Sequence, residues 1–536
     1  MRLRTLIQRC RPARDAPDRN SFTEDDCNHA DGCTQQPHPA FDHTNPPPTG
    51  RQVAWNYLVY GLSKSSSLIM TVIVARLLTP ADFGLFAMAL LVVNLFDYVR
   101  DLGVGAALVQ SPKNWNRIAP TGLTLTLVFG VVASVAIVSM AGLIADALHH
   151  PDLTPMIRAL AIALMISALS TIPAAYLRRA LDFRRRILPE ALGAATRAVL
   201  TVVLAINGLG VWSLIYGQLA AAIVMTTLYW WVARTAVRIE FDRSEAVALI
   251  RFGLPVSAVT LLAFAIYNVD YLAIGLRLGD EELGLYTVAY RLPELLVLNL
   301  CVVISEVLFS SLSRLQHDRA AVAQHYLQVL TVVVALTAPI SVALAAAAPA
   351  VIGTLFGPTY SSAAPVLAVL ALYTLIYSAS FHSGDVYKAL RRPTTLTAIE
   401  VVKLATMVVP IWWAAGHGIV MVAFVLLTIE IVHFVARMWV LGPVAGLPLR
   451  ETLRAVSRPT PAAAVMGAVM VVVGKSTSSL TAPAALVVMV LAGLPTYILA
   501  LRVTAPELVR AGLAAARSVS RRSQAVSARS SKGKLV

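Results

Sequence analysis

Three windows of this chain, 118–145, 198–233 and 404–429, contain no Asp, Glu, Lys or Arg at all. Nothing else in the sequence constrains the fold as strongly. About 20 apolar residues, each rising 1.5 Å in a helix, cross the hydrocarbon core of a bilayer. In lipid every backbone polar group must be satisfied inside the segment that carries it. Windows of this kind are not solvated faces, so the chain reads as an all-α polytopic membrane protein. A transmembrane β-barrel is excluded, because its strands alternate and run to about 10 residues. Composition agrees: 14% of residues are charged, against about 25% in a soluble domain.

Apolar runs place about fourteen transmembrane helices, at 53–77, 82–107, 119–146, 154–177, 188–206, 210–233, 249–275, 283–310, 323–349, 360–387, 395–415, 418–440, 459–474 and 482–501. The loops give the orientation. Each even-numbered loop is basic, as in Arg178, Arg179, Arg184, Arg185 and Arg186, or Arg450, Arg454 and Arg458. The odd-numbered loops hold little beyond Arg76, Arg277 and Lys475. By the positive-inside rule both termini face the cytoplasm, and the +15 net charge belongs to inner loops and tails instead of marking a nucleic-acid partner. Trp55, Tyr57, Trp212, Trp230, Trp231 and Trp439 fall near span ends, as interface anchors do. Residues 1–50 are polar and lack an apolar signal-peptide core. They are expected to be a disordered cytoplasmic tail, or to reflect a start codon placed too far upstream. Cys27, His29, Cys33 and His38 fit no zinc spacing, and with Cys10 and Cys301 the cysteines make no disulfide framework. The basic tail, 503–536, either lies against anionic lipid or is solvated.

The first hairpin, Ala75-Arg76-Leu77-Leu78-Thr79-Pro80-Ala81-Asp82-Phe83-Gly84-Leu85-Phe86, returns two hundred positions later. Aligned without a gap, the copies share Leu78/Leu278, Asp82/Glu282, Gly84/Gly284, Leu85/Leu285, Phe86/Tyr286 and Ala89/Ala289, with Arg76 and Arg277 one place apart. This reads as an internal duplication. An even number of spans per copy makes the repeats parallel, related by a pseudo-two-fold axis along the membrane normal. The expected architecture is two six-helix lobes, 51–240 and 241–445, followed by two C-terminal helices within 446–502.

No nucleophile elbow, phosphate loop, metal-spaced cluster or cofactor motif is present in the sequence. The usable signal is charge inside spans, which is expensive in lipid and by default marks a functional interior. Four pairs stand at i,i+3, on one helix face: Asp97/Arg100, Arg291/Glu294, Asp385/Lys388 and Glu400/Lys403. Lys64, Arg197, Asp270, Glu306 and Glu430 have no such neighbour. The deep cations Lys64, Arg197, Arg291 and Lys403 predict an anionic group bound inside the bundle, for which a pyrophosphate is suited. Asp270, Glu430 and Asp97 are the candidates for ion coupling. Asp270 either binds a coupling cation or pairs with Arg291.

The run from Ala75 to Gly84, followed by Asp101-Leu102-Gly103-x-Gly105-x-Ala107-Leu108-Val109-Gln110, resembles the Wzx-type polysaccharide flippases of the multidrug/oligosaccharidyl-lipid/polysaccharide exporter superfamily. Leu181-Asp182-Phe183, Phe252-Gly253-Leu254-Pro255, Asp270-Tyr271 and Leu285-Tyr286-x-x-Ala289-Tyr290-Arg291 fit as well. The resemblance covers about residues 50–440. It implies an alternating-access flippase of the bacterial plasma membrane that moves a polyprenyl-pyrophosphate-linked oligosaccharide for exopolysaccharide or envelope synthesis, with membrane lipids and the polymerase machinery as partners. Among the family's cavity cations it points to Lys64 and Arg291. A drug/cation antiporter of the same superfamily is the first rival, but should place unpaired acids in the first lobe. A lipid II flippase is the second. A membrane enzyme such as a polymerase or ligase is the third, and should carry a large outer loop that this chain lacks.

Overall fold

The computed structural model describes residues 66–180, 182–235, 237–477 and 479–510. Lys64, the four residues of the Cys/His cluster and most of the basic C-terminal tail lie outside the described residues. Thirteen helices among them are long and apolar enough to cross a membrane. The first expected span is described from residue 66 onward, as α1 (Ser66–Ala75). The first six-helix lobe continues with α2 (Pro80–Asp101), α3 (Val104–Gln110), α4 (Trp115–Ala147), α5 (Leu153–Arg179), α6 (Phe183–Ile206) and α7 (Trp212–Ala233). The second contains α8 (Arg243–Arg277), α9 (Asp280–Pro293), a π-turn (Glu294–Leu298), α10 (Asn299–Arg314), α11 (Arg319–Ala346), α12 (Ala348–Leu355), α13 (Ala363–Phe381), α14 (Ser383–Ala389), α15 (Pro393–Ala415) and α16 (Ile419–Ala445). After α17 (Leu449–Ser457), the C-terminal helices α18 (Thr460–Ser476) and α19 (Ala482–Thr504) pack on the second lobe. The Tyr497 hydroxyl, for example, donates to the Ala335 carbonyl at 2.6 Å.

Local chemistry fixes the helix starts. Thr79 and Asp82 form a reciprocal capping box at α2, the Thr79 amide donating to the Asp82 carboxylate at 2.9 Å, and Pro80 occupies the first turn, where its missing N–H is not needed. Asp242 caps α8 by accepting the Ser244 amide at 2.8 Å. The Ser244 hydroxyl and amide hold its carboxyl below the usual carboxylate range.

Several expected spans are broken. The second was expected to run unbroken over 82–107, but α2 stops where Leu102 and Gly103 turn left-handed, at φ 40° and 68°. The reason is a close crossing. A Cβ on Gly103 would lie 2.3 Å from the Gly253 carbonyl oxygen, and one on Gly253 would lie 2.2 Å from that of Leu102. The eighth span changes register at the π-turn that follows Pro293.

The duplicated hairpin is a contact as well as a sequence repeat. A Cβ on Gly84 would sit 1.8 Å from the carbonyl oxygen of Asp280, and one on Gly284 would sit 1.8 Å from that of Pro80. Pro80 and Asp280 occupy equivalent places in the ungapped repeat, so each copy presses its glycine onto the start of the other copy's helix. Small residues that let backbones touch are how helices associate in lipid, where no hydrophobic force acts between them. Around this crossing Tyr360 donates to the Leu78 carbonyl at 3.0 Å. Arg76 donates to the Leu355 carbonyl at 3.0 Å, and Arg277 to that of Trp412 at 2.8 Å. Two of the three cations that depart from the loop-charge alternation thus satisfy carbonyls in the last turns of α12 and α15, where the helix dipole favours positive charge.

Candidate functional site

The lobes touch at both ends. At the end carrying the odd loops the contact is the Gly84–Gly284 crossing. At the other end it is the Gly103–Gly253 crossing, together with Glu245, which is buried and held by Lys113 at 2.6 Å and Arg117 at 2.8 Å. Between the two closures lies a cavity of 290 Å³. The first lobe contributes Thr71, Asn94, Arg197 and Thr201 to its wall, and the second contributes Asn268, Tyr271, Thr287 and Arg291. A second cavity, of 370 Å³, lies beside Lys113, Glu245 and Phe252 on the far side of the Gly103 crossing. Its charges are already matched, so the smaller, more cationic cavity is the better candidate.

Arg197 reaches this cavity from α6. Its guanidinium donates to Gln218 of α7 at 3.2 Å and forms no ion pair among the described residues. Arg291 reaches it from α9, donating to Glu294 at 3.0 Å and, across the lobe interface, to Ser67 of α1 at 2.6 Å. The cavity therefore holds two guanidinium groups with one carboxylate beside them, and its polar lining of hydroxyls and amides can serve an oxygen-rich ligand.

The remaining expected site residues lie elsewhere. Lys403 does not face the cavity. It bonds Glu430 at 2.5 Å inside the second lobe, and Glu430 also accepts from Ser380 at 2.6 Å. One expectation is corrected here: Lys403 is not paired with Glu400, and Glu430, which has no i,i+3 partner, takes one from the neighbouring helix. Glu400 bonds Arg437 instead. The i,i+3 spacing puts Glu400 and Lys403 on one face of α15, but α16 packs against that face and offers each a partner of opposite charge. Asp270 is buried and does not pair with Arg291. It accepts from the Tyr286 hydroxyl at 2.6 Å and from the Tyr271 amide at 3.0 Å. Tyr271 lines the cavity, so Asp270 stands directly behind its wall. Asp97 is paired with Arg100 at 2.5 Å, as the spacing indicates, and Asp385 with Lys388 at 3.7 Å. Gln218, Ser67, Tyr286 and Arg437 were missed by sequence reasoning. Three of them are neutral and carry no charge signal, and Arg437 sits near a span end, where a cation is unremarkable.

A family model described as "Polysaccharide biosynthesis protein" matches residues 73–365. The chain is 25% identical over 424 residues, covering 78% of itself and 85% of the relative, to the succinoglycan biosynthesis transport protein ExoT of Rhizobium meliloti (strain 1021). It is 24% identical to the lipopolysaccharide biosynthesis protein WzxC of Escherichia coli (strain K12), covering 74% of itself and 82% of that protein. A further relative, at 24% identity over 75% of this chain and 84% of its own, is the teichuronic acid biosynthesis protein TuaB of Bacillus subtilis (strain 168). Among solved structures, the lipid II flippase MurJ in an inward closed conformation superposes with a TM-score of 0.69 at 12% identity, over 85% of this chain and all (100%) of that one. An inward-facing multidrug resistance MATE transporter of the MOP superfamily superposes at 0.57 and 16% identity, over 71% of this chain and 95% of that one. Both structural likenesses are of fold, and both share the two-lobe architecture. The match to residues 73–365 covers more than half of this multi-pass membrane protein, which therefore belongs to the polysaccharide biosynthesis protein family.

Proposed function

We propose that the chain is a flippase that carries a polyprenyl-pyrophosphate-linked oligosaccharide across the plasma membrane, with the lobes 51–240 and 241–445 rocking about the cavity. One observation carries this reading: Arg197 and Arg291, on opposite lobes, line one cavity, and among the described residues a single carboxylate, Glu294, is ion-paired to them. A buried cation needs a counter-charge, and a guanidinium binds phosphate oxygens through two parallel N–H bonds. The names of ExoT, WzxC and TuaB support a polysaccharide precursor as cargo. A cationic cavity speaks against the export of cationic drugs, whatever the fold shared with the MATE transporter. Lys64 and Lys403 are kept as secondary cations. Lys403 acts in this role only if the lobe rearranges to part it from Glu430. For ion coupling Asp270 is the best placed of the three carboxylates, since Asp97 and Glu430 each already hold a cation. The alternation of basic loops supports termini in the cytoplasm, and the lipid-linked product would pass to the polymerase machinery.

The test is a deletion strain complemented with Arg197→Ala or Arg291→Ala. Its lipid-linked intermediates are extracted and assigned to a leaflet. Accumulation of an oligosaccharide-pyrophosphate lipid facing the cytoplasm, rescued by the parent chain and at least tenfold less by either variant, is the expected outcome. Absence of any lipid-linked sugar, with raised drug sensitivity, favours the antiporter and ends this reading.

A further inference from the structure

The carboxylate beside the cavity has a use of its own. Glu294 opens the π-turn of the eighth span, where the Asn299 amide reaches back five residues to the Glu294 carbonyl. Such turns break the regular helix ladder and recur at functional sites. Directly before it stands Pro293, which has no N–H to give. The Glu294 side chain is 42% exposed and that of Arg291 28%, so the pair is not locked inside the protein and Glu294 has room to turn away from Arg291. Arg291 is the only partner Glu294 holds by an ion pair among the described residues, and the other bond of Arg291 is to the neutral Ser67. Both bonds are exchangeable for phosphate oxygens.

Charge balance then decides what the site can accept. A pyrophosphate diester carries one negative charge on each phosphate. Arg197 and Arg291 match it only if Glu294 withdraws. If Glu294 stays, a surplus negative charge is left in a region of low dielectric, which is unfavourable.

We propose that Glu294 is an exchangeable counter-ion: it neutralises Arg291 in the empty carrier, gives way to the pyrophosphate on loading, and returns to Arg291 as the cargo leaves. The inference rests on the flippase reading and deepens it. Glu294 acts through Arg291 as a positioning residue. It keeps the empty cavity from holding two unmatched cations, so the lobes can close without cargo and reset. Its return competes with the cargo and speeds release.

The experiment uses the full chain in nanodiscs, with an undecaprenyl-pyrophosphate-linked monosaccharide, a pyrophosphate diester, as the probe, and compares the parent with Arg291→Ala, Glu294→Gln and Glu294→Asp. A partly exposed pair is a modest competitor, so Glu294→Gln is expected to bind the probe about three- to fivefold more tightly. In a reconstituted flipping assay it should lower both KM and kcat, as removal of a competing ground-state contact does. Glu294→Asp retains the charge and should restore the parent values. If Glu294→Gln leaves affinity unchanged or weakens it, the residue merely holds Arg291 in place and the exchange is refuted while the flippase reading stands. If the parent chain does not bind the probe and Arg291→Ala changes nothing, the flippase reading fails first, and the exchange with it.

Discussion

Lys403 and Glu430 have almost no access to the outside, with side-chain exposures of 6% and 2%. Each is tolerable only because of the other, and removing one partner of a buried pair leaves an uncompensated charge. Lys403→Met alone is expected to lower stability by about 3–5 kcal/mol, and the double variant Lys403→Met with Glu430→Leu to recover most of it. Denaturation in detergent measures both. The double variant should still transport, because the pair faces away from the cavity. Loss of transport in a stable double variant would restore Lys403 to the set of cargo-binding cations. At this scale the sequence was half legible. Asp97/Arg100 and Arg291/Glu294 pair as their spacing indicates. Glu400/Lys403 has the same spacing and does not, because spacing along one helix carries no information about what the next helix presents.

Helices meet here through glycine. At Gly84 and Gly284 an added Cβ would overlap backbone, not the movable end of a side chain, so no rotamer change can relieve it. Gly284→Val is therefore expected to force α2 and α9 apart at the odd-loop end while leaving the folded helices intact. With the four native cysteines replaced by serine, Thr71→Cys as the sole thiol in the cavity wall, and the odd loops outside as the loop charges predict, labelling by an impermeant thiol reagent added outside should rise several-fold. Unchanged labelling would show that the crossing does not close the cavity. The sequence shows the repeat and the cap at Thr79, both of which are local. It does not show that the two copies rest on each other, since that depends on how each helix is turned about its axis.

Across the whole molecule, the two closures differ in kind. The odd-loop end is closed mainly by backbone against backbone, whereas the other adds the buried Glu245 carboxylate between Lys113 and Arg117 to its glycine crossing. A charged latch can be undone without reshaping a helix. With the orientation that the basic loops predict, Glu245→Gln is expected to loosen this end alone, raising labelling of the sole thiol Thr71→Cys from the cytoplasmic side by several-fold in inverted vesicles and leaving labelling from the outside unchanged. Labelling that rises equally from both sides would mean that the variant unfolds the lobe interface generally. The motifs behind the family resemblance acquire a physical meaning here. Residues 79–84, 101–105, 252–255 and 285–291 include those at which the lobes touch or which face the cavity between them.

The sequence by itself determined the solvent, the helices, the repeat and the expected orientation. Each follows from a property of one segment: enough apolar length to cross lipid, a cap at its end, or cations in its flanking loop. Only the tertiary structure decided which charges meet, that Arg197 and Arg291 share a cavity, and that Asp270 answers to Tyr286. A helix in a soluble protein shows its buried face as an apolar stripe. In lipid the outer face is apolar too, so the stripe fades and the rotation of each helix is set by packing against its neighbours. The partners of Lys403, Glu430 and Asp270 depend on that rotation, and it is fixed only when the helices come together.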